Sequence, residues 1–217
     1  MYGESLVKLM LALDVMDEKK AVLIAKETSE YVDSIKIGYP LVLATGLNII
    51  DKIKESTNKE VICDFKVADI PSTNKKIAEL TLNHADGIIC QGFVGSDSVS
   101  AILNVAKEKN KKVIVVTEMS HPGATEYLQN VAEDMAKMAD RLKVDGIVAP
   151  STRPERLKEI KSIAKDAFVI SPGVGAQGGN LSDVLNVLNE NDYVIIGRAI
   201  YENENPKNAA KKYKIQM

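Results

Sequence analysis

Asp64 and Lys66 stand two residues apart in the run Asp64-Phe65-Lys66-Val67-Ala68-Asp69, which closes the apolar stretch Glu60-Val61-Ile62-Cys63. A core strand has no packing reason to end in three formal charges, so charge is used at the tip of this one. Strand side chains alternate between faces, which puts Asp64 and Lys66 with Ile62 and leaves Val61, Cys63 and Phe65 on the other side. A carboxylate and an ammonium therefore share one face, and the carboxylate of Asp69 follows just beyond.

Neighbouring strand ends carry charge too. Asp14 closes Leu11-Ala12-Leu13, and Lys36 stands in Ile35-Lys36-Ile37-Gly38. Alternation allows Asp14, Lys36, Asp64 and Lys66 to face one common axis as two carboxylates and two ammonium groups. Charges in a low-dielectric mouth persist by pairing, and a pair about 4 Å apart at an effective dielectric of about 20 gains roughly 4 kcal/mol before desolvation. Such an array predicts carboxyl groups of low pKa and lysines that stay charged. A single strand-end charge is as readily a salt bridge tying strands together; four on neighbouring strands are harder to explain that way.

A second signal lies further along the chain. Val169-Ile170-Ser171 is followed by Pro172-Gly173-Val174-Gly175-Ala176-Gln177-Gly178-Gly179-Asn180, and Val194-Ile195-Ile196 by Gly197-Arg198. Glycines let backbone N–H groups approach an anion, and an arginine adds charge-assisted hydrogen bonds, so the pair of loops predicts a phosphorylated ligand. The glycine loop alone could be a flexible connector; its pairing with Gly197-Arg198 is what favours phosphate. Residues 172–182 are long and glycine-hinged enough to close as a lid.

Positioning these groups requires strand ends gathered at one place. Strand-like runs fall at residues 9–15, 32–38, 61–66, 87–91, 113–119, 146–149, 168–171 and 193–197. Amphipathic stretches such as 17–30, 72–83, 96–110, 131–142 and 154–164 lie between them, with apolar residues at three- and four-residue spacing. Strands alternating with helices predict a parallel sheet. The segments Val32-Asp33-Ser34-Ile35, Ala85-Asp86-Gly87-Ile88, Val144-Asp145-Gly146-Ile147 and Asn191-Asp192-Tyr193-Val194 open every second strand at a spacing of about 50 residues. This repeat argues for a closed (β/α)8 barrel, a TIM barrel, as a single α/β domain over residues 1–217. The four aspartates read as turn chemistry at the barrel floor, because active sites of such barrels sit at the opposite end, where the strands finish.

Composition narrows the function classes. With 217 residues, 45% apolar and 27% charged, and a net charge of -2, the chain lacks the basic excess that would draw it to nucleic acid or to an anionic membrane. Cys63 and Cys90 sit in apolar runs without metal-type spacing, which predicts buried, reduced thiols and a cytoplasmic location. The apolar run at residues 9–13 stops at Asp14, too short for a signal peptide or a membrane span. His84 reads as a capping or surface residue, and His121 has no partner at metal spacing; neither is expected in catalysis. The Lys/Glu-rich stretches at 107–112 and 158–165 read as solvated helix faces.

Taken together these motifs resemble the orotidine 5'-monophosphate decarboxylase family, in the shorter form found in prokaryotes. The resemblance covers the whole chain. It rests on Leu11-Ala12-Leu13-Asp14, Lys36 with Gly38, Asp64-Phe65-Lys66-Val67-Ala68-Asp69-Ile70-Pro71-Ser72-Thr73, Glu118-Met119-Ser120-His121-Pro122-Gly123, Ser171-Pro172-Gly173-Val174, Gln177-Gly178-Gly179 and Ile196-Gly197-Arg198-Ala199-Ile200. Relatives in the wider superfamily, hexulose-phosphate synthases and ketogulonate-phosphate decarboxylases, use a similar DxKxxD motif around magnesium, with an acidic residue near the position of Lys36. A lysine there repels a divalent cation and points to the metal-free branch.

The resemblance implies cofactor-free and metal-free decarboxylation of orotidine 5'-monophosphate to uridine 5'-monophosphate, the last step of its de novo synthesis. It implies Lys66 as carbanion stabiliser and proton donor, Asp64 beside the substrate carboxylate, and Lys36 holding Asp64. Asp14 and Lys36 would bind ribose, Ser120 the pyrimidine edge, Gln177 both pyrimidine and phosphate, and Pro172, Gly197 and Arg198 the phosphate region. It also implies a homodimer in which Asp69, Ile70 and Thr73 complete the neighbouring site. Two alternatives stay open on residues alone: a metal-dependent sugar-phosphate enzyme of the same superfamily, and a catalytically silent nucleotide-binding barrel.

Overall fold

The structure, a computed structural model, describes residues 7–217. Eight strands, β1 (Lys8–Leu13), β2 (Ser34–Gly38), β3 (Glu60–Val67), β4 (Gly87–Gln91), β5 (Lys112–Val116), β6 (Gly146–Val148), β7 (Phe168–Pro172) and β8 (Tyr193–Ile196), close into an all-parallel barrel in chain order. The expected (β/α)8 barrel is the fold. Connections run through helices α1 (Glu18–Thr28), α2 (Tyr39–Thr45), α3 (Asn48–Thr57), α4 (Pro71–Thr81), α5 (Ser96–Lys109), α6 (Leu128–Leu142), α7 (Pro154–Ile163), α8 (Leu181–Leu185), α9 (Arg198–Tyr201) and α10 (Pro206–Gln216). No described helix is long and apolar enough to cross a membrane.

Period-two alternation sorts the strands into two packed layers. Met10, Ala12, Ile62, Ile89, Ile114, Val116, Val148, Ile170, Tyr193 and Ile195 fill the barrel interior, while residues such as Leu11, Ile35, Cys63, Ile88 and Val169 pack outward against the helices. Even-numbered positions of β1, β2 and β3 therefore point inward, and Ala12 pairs with Lys36 as Lys36 pairs with Ile62. Both cysteines face the helix layer as free, buried thiols. Burial raises both pKa values, that of Cys90 to about 12.

The repeated aspartates behave as floor residues. Asp33 accepts a hydrogen bond from Leu9 N at 2.7 Å, Asp86 from Val61 N at 3.1 Å, Asp145 from Val113 N at 2.8 Å and Asp192 from Val169 N at 2.8 Å. Each clamps the start of the strand before its own. Several lysines read as solvated in fact close this layer: Lys111 pairs with Asp86, Lys112 with Glu60 and Lys161 with Asp192. His84 bonds Asp51 at 2.6 Å, away from the mouth.

Two elements depart from the sequence reading. Between β2 and β3, where the sequence reading named no helix, the chain forms two: Pro40 stands in the first turn of α2, and Gly46, at φ +83°, ends it in a conformation that favours glycine. Strand β5 ends at Val116 instead of residue 119, since the N–H groups of Thr117 and Glu118 both turn to the carbonyl of Val148.

Candidate active site

At the C-terminal ends of the strands the barrel opens into a cavity of about 1030 Å³. Asp14, Lys36, Asp64 and Lys66 line it together, as their inward positions require. Lys36 Nζ lies 2.9 Å from Asp64 Oδ2, and Lys66 Nζ donates to Asp64 Oδ1 at 2.9 Å and Oδ2 at 2.8 Å. Asp64 is thus held between two ammonium groups. Asp14 stands beside Gly38, where an added Cβ would fall 2.5 Å from Asp14 Oδ1 and force the carboxylate to move.

Burial and pairing oppose each other in this cluster. For Asp64, burial favours the neutral acid, but the charges and hydrogen bonds of Lys36 and Lys66 outweigh it and hold the pKa below the usual carboxylate range. For Lys36, burial works against the charge, and the carboxylates of Asp64 and Asp14 overcome it and raise the pKa. The Lys36–Asp64 pair is therefore ionised throughout the neutral range.

Lys66 is placed by an unusual stretch of backbone. Its φ is +43°, a left-handed conformation costing a non-glycine residue about 1–2 kcal/mol. Here too the β3–β4 register slips: Cys63 pairs with Ile88 but Val67 with Cys90. Irregularities of this kind re-aim side chains at the ends of strands, and this one turns the ammonium of Lys66 back onto Asp64. Alternation alone foretold the shared face but not the strained turn that brings the two groups into contact.

The opposite wall carries the glycine loop. Pro172, Gly173, Gln177, Gly197 and Arg198 line the cavity, and Ser120 Oγ donates to Gln177 Oε1 at 2.7 Å. That bond joins the loop after β5 to the loop after β7. The latter folds back on itself through Gly179 N to Gly173 O and Gly178 N to Gly175 O, both 2.9 Å. Arg198 is exposed at the start of α9 with Gly197 before it.

Asp69, Ile70 and Thr73 do not line this cavity. Asp69 Oδ1 accepts from Ile70 N at 2.7 Å, its backbone is held by Asn74 and Ser98, and Ile70 is 63% exposed. Other residues of the site were not picked out from sequence. Thr152, Arg153, Tyr39 and Tyr201 also line the cavity. Arg153 closely follows β6, so an inventory of that strand end would have found it. His121 reaches the rim, but no group of three or more His, Cys, Asp or Glu gathers as a metal site among the described residues.

Comparison with known proteins gives this geometry its relatives. Residues 7–213 match the Orotidine 5'-phosphate decarboxylase / HUMPS family. The chain belongs to that family. A Methanococcus maripaludis protein named orotidine 5'-phosphate decarboxylase is 98% identical over the full length of both chains. One of the same name from Methanocaldococcus jannaschii is 66% identical, covering 95% of this chain and 97% of the relative. Among solved structures, the M. jannaschii orotidine 5'-monophosphate decarboxylase complexed with inhibitor BMP superposes with a TM-score of 0.95 at 66% identity, covering 96% of this chain and 97% of that one. The orotidine 5'-phosphate decarboxylase from Pyrococcus horikoshii gives 0.87 at 40% identity, over 95% and 97%. The Orotidine 5'-phosphate decarboxylase / HUMPS match thus spans all eight strands of the barrel.

Proposed function

We propose that this chain is a carboxy-lyase that converts orotidine 5'-monophosphate to uridine 5'-monophosphate and carbon dioxide, the last step of de novo uridine monophosphate synthesis, in the cytoplasm and without metal or cofactor. The observation that carries the proposal is the Lys36–Asp64–Lys66 cluster in the mouth of a barrel whose far wall is a glycine loop and an arginine. The names of its close relatives support the same reaction.

Chemistry sets the demand. When the bond from C6 to the carboxylate breaks, its electron pair stays on an sp2 carbon with no adjacent electron sink, so stabilisation must come from a fixed cation. Lys66 meets that demand and then transfers a proton from Nζ to C6. Asp64 lies beside the departing carboxylate, where crowding of like charge raises the ground state relative to a transition state losing that charge. Lys36 keeps Asp64 ionised and, with Asp14, binds the ribose hydroxyls. A lysine held in this ion pair leaves no acidic ligand at its position for the divalent cation that the metal-dependent relatives use.

Ser120 reads the pyrimidine edge, Gln177 spans pyrimidine and phosphate, and Gly197 and Arg198 hold the phosphate beside Pro172. Closure of residues 172–182 over a bound phosphate uses remote binding energy to exclude water and fix the charged cluster. Orotidine without its phosphate is expected to lose kcat as well as affinity; an unchanged kcat would contradict this role. Asp69, Ile70 and Thr73, turned away from their own cavity, complete the site of a second subunit in a homodimer.

Loss of orotidine 5'-monophosphate absorbance, followed in chelator beside Lys66→Ala, tests the reaction. Turnover in chelator that vanishes in the variant is the expected result. Activity only on sugar phosphates with added magnesium, or nucleotide binding without turnover, would overturn it.

A further inference from the structure

Glu118 carries no role in the reaction proposed above, yet it is the most completely buried carboxylate near the mouth. Its side chain is 0% exposed, two residues past the end of β5. An ionised carboxylate so placed needs pairing to offset several kcal/mol of lost hydration. Two guanidinium groups supply it, one on each oxygen: Arg153 Nε lies 2.8 Å from Oε1, and Arg156 Nε 3.3 Å from Oε2.

The two arginines then diverge. Arg156 extends to Glu133 at 3.2 Å, Glu159 at 2.5 Å and the Gln129 carbonyl, binding α7 to the α6 region without reaching the cavity. Arg153 turns to the cavity wall. Its Nη2 donates to the carbonyl of Met119 and its Nη1 to that of Ser120 at 3.5 Å, while Thr152 Oγ1 donates to the same Ser120 carbonyl at 2.7 Å. A planar guanidinium thus grips two consecutive carbonyls of the segment that carries Ser120. The Ser120 hydroxyl in turn bonds Gln177.

We propose that Glu118 is a positioning residue that acts through Arg153 to fix the pyrimidine side of the site; the inference rests on the functional reading above, in which Ser120 meets the base. Glu118 fixes the plane of the Arg153 fork, the fork fixes the backbone at Met119 and Ser120, and that backbone aims the Ser120 hydroxyl.

Binding calorimetry with uridine 5'-monophosphate and with ribose 5-phosphate, which lacks the base, separates positioning from general loosening. Glu118→Gln is expected to weaken the nucleotide by about tenfold, the scale of one misaligned hydrogen bond to the base, and to leave ribose 5-phosphate within about twofold. Arg153→Lys keeps a cation beside Glu118 but loses the two-carbonyl grip, so it should show the same base-selective loss even if Glu118→Gln fails to fold. Arg156→Ala removes the other half of the carboxylate's pairing and should lower the unfolding temperature while leaving both affinities within about threefold. Unchanged nucleotide affinity in Glu118→Gln and Arg153→Lys, or equal weakening of both ligands, would overturn the proposal. Failure of the wild-type chain to bind the nucleotide would instead overturn the functional reading, and this inference with it.

Discussion

The floor and the mouth of this barrel are built from the same residue types and use them in opposite ways. On the floor, Asp33, Asp86, Asp145 and Asp192 each accept from a backbone N–H of the strand before their own. Asp86 also takes Lys54 at 2.7 Å and Lys111 at 2.8 Å on its other oxygen. At the mouth, Asp64 accepts from Lys36 and Lys66 and from no backbone donor among the described residues. Floor charges are tied to the chain, so losing one unpairs the fold. Mouth charges are tied to each other, so a ligand can redirect them without breaking a strand. The mouth also holds Lys66 in a left-handed backbone that the floor aspartates do not need.

Substitution should divide the two regions cleanly. The largest effect is expected for Lys66→Ala, which in the proposed reaction removes both the carbanion's cation and the proton donor and should lower kcat about 10⁴-fold or more in a single-turnover absorbance assay. A loss below about tenfold would remove the mouth from the chemistry. Asp86→Asn should act on the floor alone. It leaves two lysines without their carboxylate and should reduce stability by about 2–3 kcal/mol, lowering the unfolding temperature by about 4–12 °C for a chain of this size, with kcat unchanged.

Acid and base should probe both regions through urea unfolding across pH. Asp64 has a lowered pKa because its lysine partners outweigh burial, and Asp86 likewise, through Lys111, Lys54 and the Val61 N–H. A lowered carboxylate contributes stability that is fully present above its unfolded value of about 3.9 and is lost as pH falls through the lower folded value. Lys36, with its raised pKa, contributes below about 10.4 and loses that contribution as pH rises through its folded value. Stability should therefore be flat through the neutral range, with an acid limb below about pH 4 that is shallower in Asp86→Asn. An acid limb unaltered by that substitution would place the titration elsewhere. The smallest expected effect sharpens the strain argument. Lys66→Gly should be more stable than Lys66→Ala by about 0.5–1 kcal/mol, reversing the usual order, because the left-handed turn penalises any side chain.

Much of this division was legible in the chain itself. Barrel strands announced themselves as apolar runs, and the repeated aspartates marked every second strand start, because a floor hydrogen bond needs the same residue at the same place each time. Asp14, Lys36, Asp64 and Lys66 were legible because alternation fixes which face a strand residue takes. The short helices α2, α8 and α9 were not, since segments of four to seven residues carry too little periodicity to show. Arg153 stands within reach of a strand-end inventory, but its bonds to Glu118, 35 residues earlier, and to backbone carbonyls were not legible, because no side-chain pattern reveals them. Nor could alternation show the slip at Lys66, which is a property of the backbone between paired strands.

The claim that mouth charges serve the ligand and floor charges the fold is tested most directly by urea unfolding of Lys66→Ala at neutral pH. Asp64 keeps Lys36 in that variant, and Lys66 is itself 35% exposed, so stability should stay within about 1 kcal/mol of the wild type. A loss as large as that of Asp86→Asn would make Lys66 a structural residue and contradict the account.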